Sequence, residues 1–177
     1  MSASQRDANA SPASASGKTP ASASGKTPDW YATWFESPWY MRLYRHRTDE
    51  EAVEATDLVT KYAQIPAGAN VLDLCCGYGR HALALAQLSY NVVGIDQSRY
   101  LIDRAREVYP HANVRYEVAD MRGPFSGAPY DAIVNFFTSF GYFDTQQENM
   151  KVFHAVHAAL RENGTFIMDF FLSLIHI

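Results

Sequence analysis

Three aspartates stand at or near the ends of short apolar runs: Asp73 in VLDLCCGYGRHA (71–82), Asp96 closing VVGID, and Asp120 after VRYEVA. The first run carries the most chemistry. Val71, Leu72 and Leu74 read as a buried strand. Gly77 and Gly79 then permit a tight turn in which backbone can come close to a ligand. From Arg80 to Leu88 the apolar residues fall at helical spacing. A glycine turn between a parallel strand and a helix N-terminus is where open α/β sheets bind nucleotide-like ligands. Asp73 narrows the choice. Its carboxylate suits a cationic or hydroxyl-bearing ligand and is unfavourable beside a pyrophosphate.

GYGRHA also fits the dinucleotide pattern G-x-G-x-x-G/A, and Asp96 follows Gly77 by 19 residues, about where a ribose-binding acid is expected. An NAD-dependent Rossmann oxidoreductase is therefore the competing reading. Against it stand Asp73, the pair Asp120-Met121, and the lack of a recognisable hydride-transfer site.

The ordered set of D-L-x-C-G-x-G-R-H at 73–81, Asp120-Met121-Arg122, and the aromatic loop NFFTSFGYF (135–143) resembles the class I S-adenosylmethionine (SAM)-dependent methyltransferases. The resemblance is closest to a bacterial subfamily of small-molecule type and runs from Trp30 to Phe171. It implies SAM as cofactor and a small molecule as methyl acceptor. It also implies roles for ten residues. Gly77 and Gly79 would admit the methionine and ribose portions, and Asp73 would lie near the ligand ammonium. Asp96 would accept both ribose hydroxyls, since a carboxylate suits two adjacent donors. Gln97 would flank the adenine, Asp120 would accept from its exocyclic amine, and the Met121 N–H would meet a ring nitrogen. Asn135 would face the methionine part, and Arg47 would pair with the ligand carboxylate. Cys75 departs from the family's usual glycine or alanine and narrows the gap for the ligand.

Methyl transfer asks little of side-chain chemistry. The sulfonium already activates the methyl group, so the protein mainly aligns a nucleophile and excludes water. No convincing general base is evident, and no catalytic residue is assigned. Tyr44 and His46 belong to the aromatic lead-in, His81 opens a helix beside the turn, and His154 and His157 read as a solvated helix face. A SAM-binding fragment without turnover is the third reading.

These residues need a scaffold, and the pattern supplies an α/β one. Strands are expected at 70–75, 91–96, 114–119, 131–137 and 164–170, with helices at 80–88, 98–108 and 146–161. Such alternation makes a Rossmann-like, doubly wound, mostly parallel sheet. Right-handed crossovers and the resemblance give the order 3-2-1-4-5, with the family's last two strands missing. Thr48-Asp-Glu-Glu51 and Thr145-Gln-Gln-Glu148 read as capping boxes, and Asn163-Gly164 as a helix exit.

The expected divisions are a disordered tail at 1–28, a helical lead-in or lid at 29–66, a SAM-binding core at 67–171, and a non-native hexapeptide at 172–177. The tail repeats ASASGKTP at 13–20 and 21–28 and has little apolar surface to bury. Its GKT is no phosphate loop, because Pro12 and Pro20 occupy the positions where that motif needs glycine. The final hexapeptide resembles a translated sequencing adapter, which would make the reading frame a truncated one. Strand 165–171 would then be an exposed edge prone to self-association.

The net charge of −4 without a basic run disfavours a nucleic-acid partner, and no apolar run is long enough for a membrane span. The two cysteines are adjacent, which suits a reduced, cytoplasmic protein and offers too few ligands for a metal.

Overall fold

A computed structural model describes residues 29–170. The expected tail at 1–28 and the segment 171–177 lie outside the described residues. Three helices lead into the sheet: α1 (Trp30–Trp34), α2 (Pro38–Leu43) and α3 (Asp49–Ala63). Then follow β1 (Asn70–Leu74), α4 (Arg80–Gln87), β2 (Asn91–Asp96), α5 (Arg99–Val108), β3 (Val114–Val118), β4 (Tyr130–Asn135), α6 (Gln146–Ala159) and β5 (Leu160–Met168). All neighbouring strands pair in parallel, in the order β3-β2-β1-β4-β5, as expected.

Side chains of a strand alternate between its two faces, so a sheet covered on both sides is apolar along its whole length. Val71, Val92 and Val134 pack on one face with Leu85 of α4 and Ile102 and Ala105 of α5. Leu72, Leu74, Ile95 and Ile133 face the other way, against Val152, Val156 and Ala159 of α6. Both capping threonines act as expected. Thr48 Oγ1 accepts the Glu51 N–H, and Thr145 Oγ1 accepts the Glu148 N–H.

Several expectations need correction. The aromatic stretch of the lead-in is split into two short helices, because Pro38 starts a new helix after the Ser37 cap. Tyr44 is the C-cap of α2, and His46 lies in the turn beyond it. β1 stops at Leu74 because Cys75 adopts a left-handed φ of 64°. β4 stops at Asn135 because Phe137 and Thr138 are both left-handed. Asp169 clamps that break: its Oδ2 accepts the Phe137 N–H, and its carbonyl accepts the Thr138 N–H.

Asn163-Gly164 is not a helix exit. α6 ends at Ala159, and Leu160 already pairs with Tyr130. The next pair is Ala132 with Thr165, so two steps along β4 face five along β5. Asn163, at φ 61°, sits in the bulge this creates. Asn enters the left-handed region more readily than most non-glycine residues, which serves a bulge as well as a helix end.

Candidate functional site

The strand order reverses direction at β1, whose neighbours are β2 and β4. In open α/β sheets the crevice at the carboxyl ends of such strands is the ligand site. A cleft of about 550 Å³, open mouth included, lies there. Cys75, Gly77, Asp96, Gln97, Asp120 and Met121 form its floor and one wall. Tyr31, Phe35 and Tyr40 from α1 and α2 roof it, and Ser139, Tyr142 and Phe143 close the far side. The lead-in thus places three aromatic side chains along the cleft. Its rings meet edge-on: Phe35 and Tyr40 at 5.0 Å, Phe35 and Tyr142 at 5.7 Å, Tyr31 and Phe143 at 5.9 Å.

Asp96 is the centre of the floor. Its Oδ2 accepts the Gly77 N–H at 3.0 Å and its Oδ1 accepts the Ser98 N–H at 2.9 Å. Burial raises its pKa to about 6, although these two backbone donors act in the opposite direction. Each oxygen keeps a second lone pair for a ligand donor. Asp120 is differently placed. Arg122 grips both of its oxygens, with Nη2 to Oδ2 at 2.5 Å and Nε to Oδ1 at 3.0 Å. Burial opposes ionisation, but these hydrogen bonds hold the Asp120 carboxyl below its ordinary pKa. Arg122 also bonds Glu148 at 2.6 Å and stacks over the Phe143 ring at 4.3 Å, which fixes it away from the cleft.

Four of the ten anticipated residues stay off the cleft wall. Asp73 is 1% exposed beneath the turn, and its Oδ2 has no partner. Burial, and then the nearby Asp96 charge, push its pKa to about 7. Gly79 caps α4 at φ 96°, and a Cβ there would lie 2.7 Å from the Tyr116 hydroxyl. Its glycine serves close packing against Tyr116, whose single hydroxyl proton is shared between the carbonyls of Tyr109 at 3.1 Å and Gly79 at 3.4 Å. Asn135 is buried, donating from Nδ2 to the Leu74 carbonyl at 2.7 Å, with Oδ1 unpartnered. Arg47 stacks on Phe137 at 4.3 Å and faces Glu51 at 3.6 Å.

Among the described residues no His, Lys or Arg side chain lines the cleft. His81 stacks on Phe136 at 4.4 Å, and burial lowers its pKa to about 3, so it is neutral near pH 7. His46, His154 and His157 are exposed on the surface. Burial raises the Tyr31 hydroxyl to about 12 and also raises that of Tyr40. Both cysteines are free thiols, and burial keeps them protonated. Among the described residues no cluster could hold a metal ion. Sequence reasoning missed Leu101 and Ser139 as cleft residues. Ser139 lies within the singled-out loop 135–143, but nothing in the local sequence marks Leu101, which the seating of α5 brings there.

The family described as a methyltransferase domain matches residues 71–164, more than half of the chain. A dTDP-3-amino-3,4,6-trideoxy-alpha-D-glucopyranose N,N-dimethyltransferase from Streptomyces venezuelae is 29% identical over 110 residues, covering 62% of this chain and 46% of its own. Trans-aconitate 2-methyltransferase from Variovorax paradoxus is 36% identical over 85 residues, covering 47% of this chain and 32% of its own. The SAM-bound structure of CalS10, an amino pentose methyltransferase from Micromonospora echinaspora, superposes with a TM-score of 0.65 at 26% identity. That match covers 80% of this chain and 59% of the other. The chain spans about half the length of the curated relatives it matches. The matched span holds nearly all of β1, the glycine turn, Asp96 and the loop after β4, and this chain belongs to the methyltransferase domain family.

Proposed function

We propose that this chain is the cofactor-binding part of a SAM-dependent methyltransferase acting on a small-molecule acceptor. One observation carries the reading. The cleft presents two aspartates and an aromatic roof, with no cationic side chain of the described residues on its wall. That lining suits a ligand bearing a sulfonium and an ammonium, and opposes a pyrophosphate. The unpartnered, buried Oδ2 of Asp73 and Oδ1 of Asn135 are further acceptors near the turn. Both lie behind the cleft wall, where they add negative potential and no direct ligand contact.

SAM, when bound, supplies a methyl group already activated by its sulfonium. The protein's part is binding and alignment. Asp96 has lone pairs for two ribose hydroxyls while it holds Gly77 in place. Gln97, Asp120 and Met121 surround the adenine end. Tyr31, Phe35, Tyr40 and Tyr142 exclude water from the sulfonium. Among the described residues the cleft wall holds no His or Lys, and its two carboxylates are engaged by Gly77, Ser98 and Arg122, so the acceptor arrives as a nucleophile or loses its proton to water. Amino sugars, on which the Streptomyces relative acts by name, are the first acceptors to test.

We assign 29–66 to the lid and the residues from 67 onward to the core. The net charge of −4 favours a small molecule over nucleic acid. Two free cysteines favour the reducing cytoplasm. No described helix is long and apolar enough to cross a membrane.

Isothermal titration with SAM and with NAD tests the reading. SAM binding without NAD binding is expected. Tight NAD binding with no SAM binding overturns it in favour of a dinucleotide enzyme. Turnover with an amino sugar then separates an active enzyme from a binding fragment.

A further inference from the structure

The lead-in touches the rest of the molecule through many rings but few polar groups. Among the described residues, α1, α2 and the turns beside them (29–47) are joined to the core by three hydrogen bonds, all at the start of α5, while the bonds from Arg80 to the Thr48 carbonyl and from Tyr109 to Asp49 anchor the start of α3. Glu36, in the turn between α1 and α2, spans two of them. Its Oε1 accepts the Arg99 N–H at 2.7 Å, and its Oε2 accepts the Tyr100 N–H at 3.3 Å. These are the first donors of α5, which have no intrahelical acceptor. The third bond runs from Ser98 Oγ to the Phe35 carbonyl at 2.8 Å.

Ser98 links this anchor to the cleft. It caps α5 by accepting the Leu101 N–H, and its own N–H donates to Asp96 Oδ1. Asp96 in turn holds Gly77. A continuous set of hydrogen bonds thus joins the glycine turn, the aspartate closing β2, the start of α5 and the lid. Phe35 and Tyr40, which flank Glu36 in sequence, are the roof residues packed on each other at 5.0 Å. Glu36 itself does not line the cleft.

We propose that Glu36 is a latch: it positions the aromatic lid over the cleft and couples lid closure to the β2–α5 loop that carries Asp96. The proposal rests on the reading of the cleft as a SAM site. Glu36 acts through Phe35 and Tyr40 and is a positioning residue.

The sequence provides its own probe. All three tryptophans, Trp30, Trp34 and Trp39, lie in the lid, so tryptophan emission reports this segment alone. Exposed Arg42 and Arg45 offer tryptic sites within the lead-in. The 177-residue chain, Glu36→Gln and Glu36→Ala would be compared by SAM calorimetry, tryptophan emission and limited trypsin digestion. Losing charge-assisted bonds should weaken SAM binding roughly tenfold in Glu36→Ala. Glu36→Gln keeps the side-chain length and one acceptor oxygen, so its loss should be smaller. It carries the same test with little change in packing. Emission should move to longer wavelength and cleavage in the lead-in should quicken, in the same order.

If the parent chain binds SAM and both variants bind it equally, the latch is wrong. If emission changes while affinity does not, the lid is released but uncoupled from the cleft, and the proposal is overturned too. A helix cap without a latching role would lower the melting temperature and leave tryptophan emission unmoved. Absence of SAM binding to the parent chain instead defeats the functional reading. Emission and digestion would then still decide whether Glu36 holds the lid.

Discussion

The carboxylate of Asp96 accepts the backbone N–H of Gly77 at 3.0 Å, so the residue that closes β2 also holds the turn leaving β1. Replacing Asp96 therefore has two consequences. Asp96→Ala should weaken SAM binding by about 2–4 kcal/mol through lost charge-assisted bonds. It should also lower ligand-free stability by about 1–3 kcal/mol, because the N–H groups of Gly77 and Ser98 lose their acceptor. Asp96→Asn, with one acceptor oxygen left, should be intermediate in both. Calorimetry with SAM and a melt without it separate the effects. Unchanged SAM affinity in Asp96→Ala would remove Asp96 from the site.

Asp73 gives a pH signature. Its folded pKa is raised to about 7 from 3.8 by burial and by the Asp96 charge. Between those values the folded state keeps a proton that the unfolded chain has released. The ligand-free protein should therefore lose stability as pH rises from about 4 to about 7, and level off above. Asp96, raised to about 6, adds to the fall at the lower end. Asp73→Asn should melt higher than the parent near pH 8 and close to it near pH 4. Parallel melting curves across that range would contradict the assignment.

The two turn glycines should respond differently to alanine. A Cβ on Gly79 would meet three atoms of the Tyr116 side chain within 2.9 Å, at a φ of 96°. Overpacking and strain together should cost roughly 2–4 kcal/mol of stability. A Cβ on Gly77 meets nothing within 4 Å, so its cost is mainly the left-handed strain of about 1–2 kcal/mol. Gly77→Ala should instead show the larger loss of SAM affinity for a given loss of stability. Melting and titration of both variants check this. The reverse ranking would move the ligand away from Gly77.

The outer edge of β5 pairs with no strand among the described residues. Its stretch Thr165–Met168 carries no charge and no proline, so its free backbone groups can template another strand. The 177-residue chain should self-associate in light scattering at micromolar concentration. Thr165→Lys, or extension with further strands, should reduce this. A clean monomer that stays monomeric would show that the edge needs no cover.

Local sequence carried the elements whose physics is local. Thr48 and Thr145 cap the helices they precede, and the glycine turn after β1 is readable from its own residues. What the sequence hid depends on distant contacts. Gly79 looks like a ligand-facing glycine until Tyr116, 37 residues on, fills the space beside it. Asp120 looks like a free acceptor until Arg122 folds back onto it. Asn163-Gly164 has the chemistry of a helix end, and only the pairing with β4 turns it into a bulge. Glu36 had no local signature at all, because the N–H groups it serves lie more than 60 residues away.

The Tyr116 phenol also sets how the molecule should open. It stands on the edge strand β3, yet it bonds the carbonyl of Gly79 in the turn and that of Tyr109 at the end of α5. One side chain ties three successive β-α units together. Peeling β3 from the sheet must therefore release the glycine turn and the end of α5 in the same event. Native-state hydrogen exchange should find the amides of β3, of the first turn of α4 and of the last turn of α5 in one cooperative unit. Tyr116→Phe, which keeps the ring and removes the bonds, should split that unit, with β3 exchanging ahead of α4.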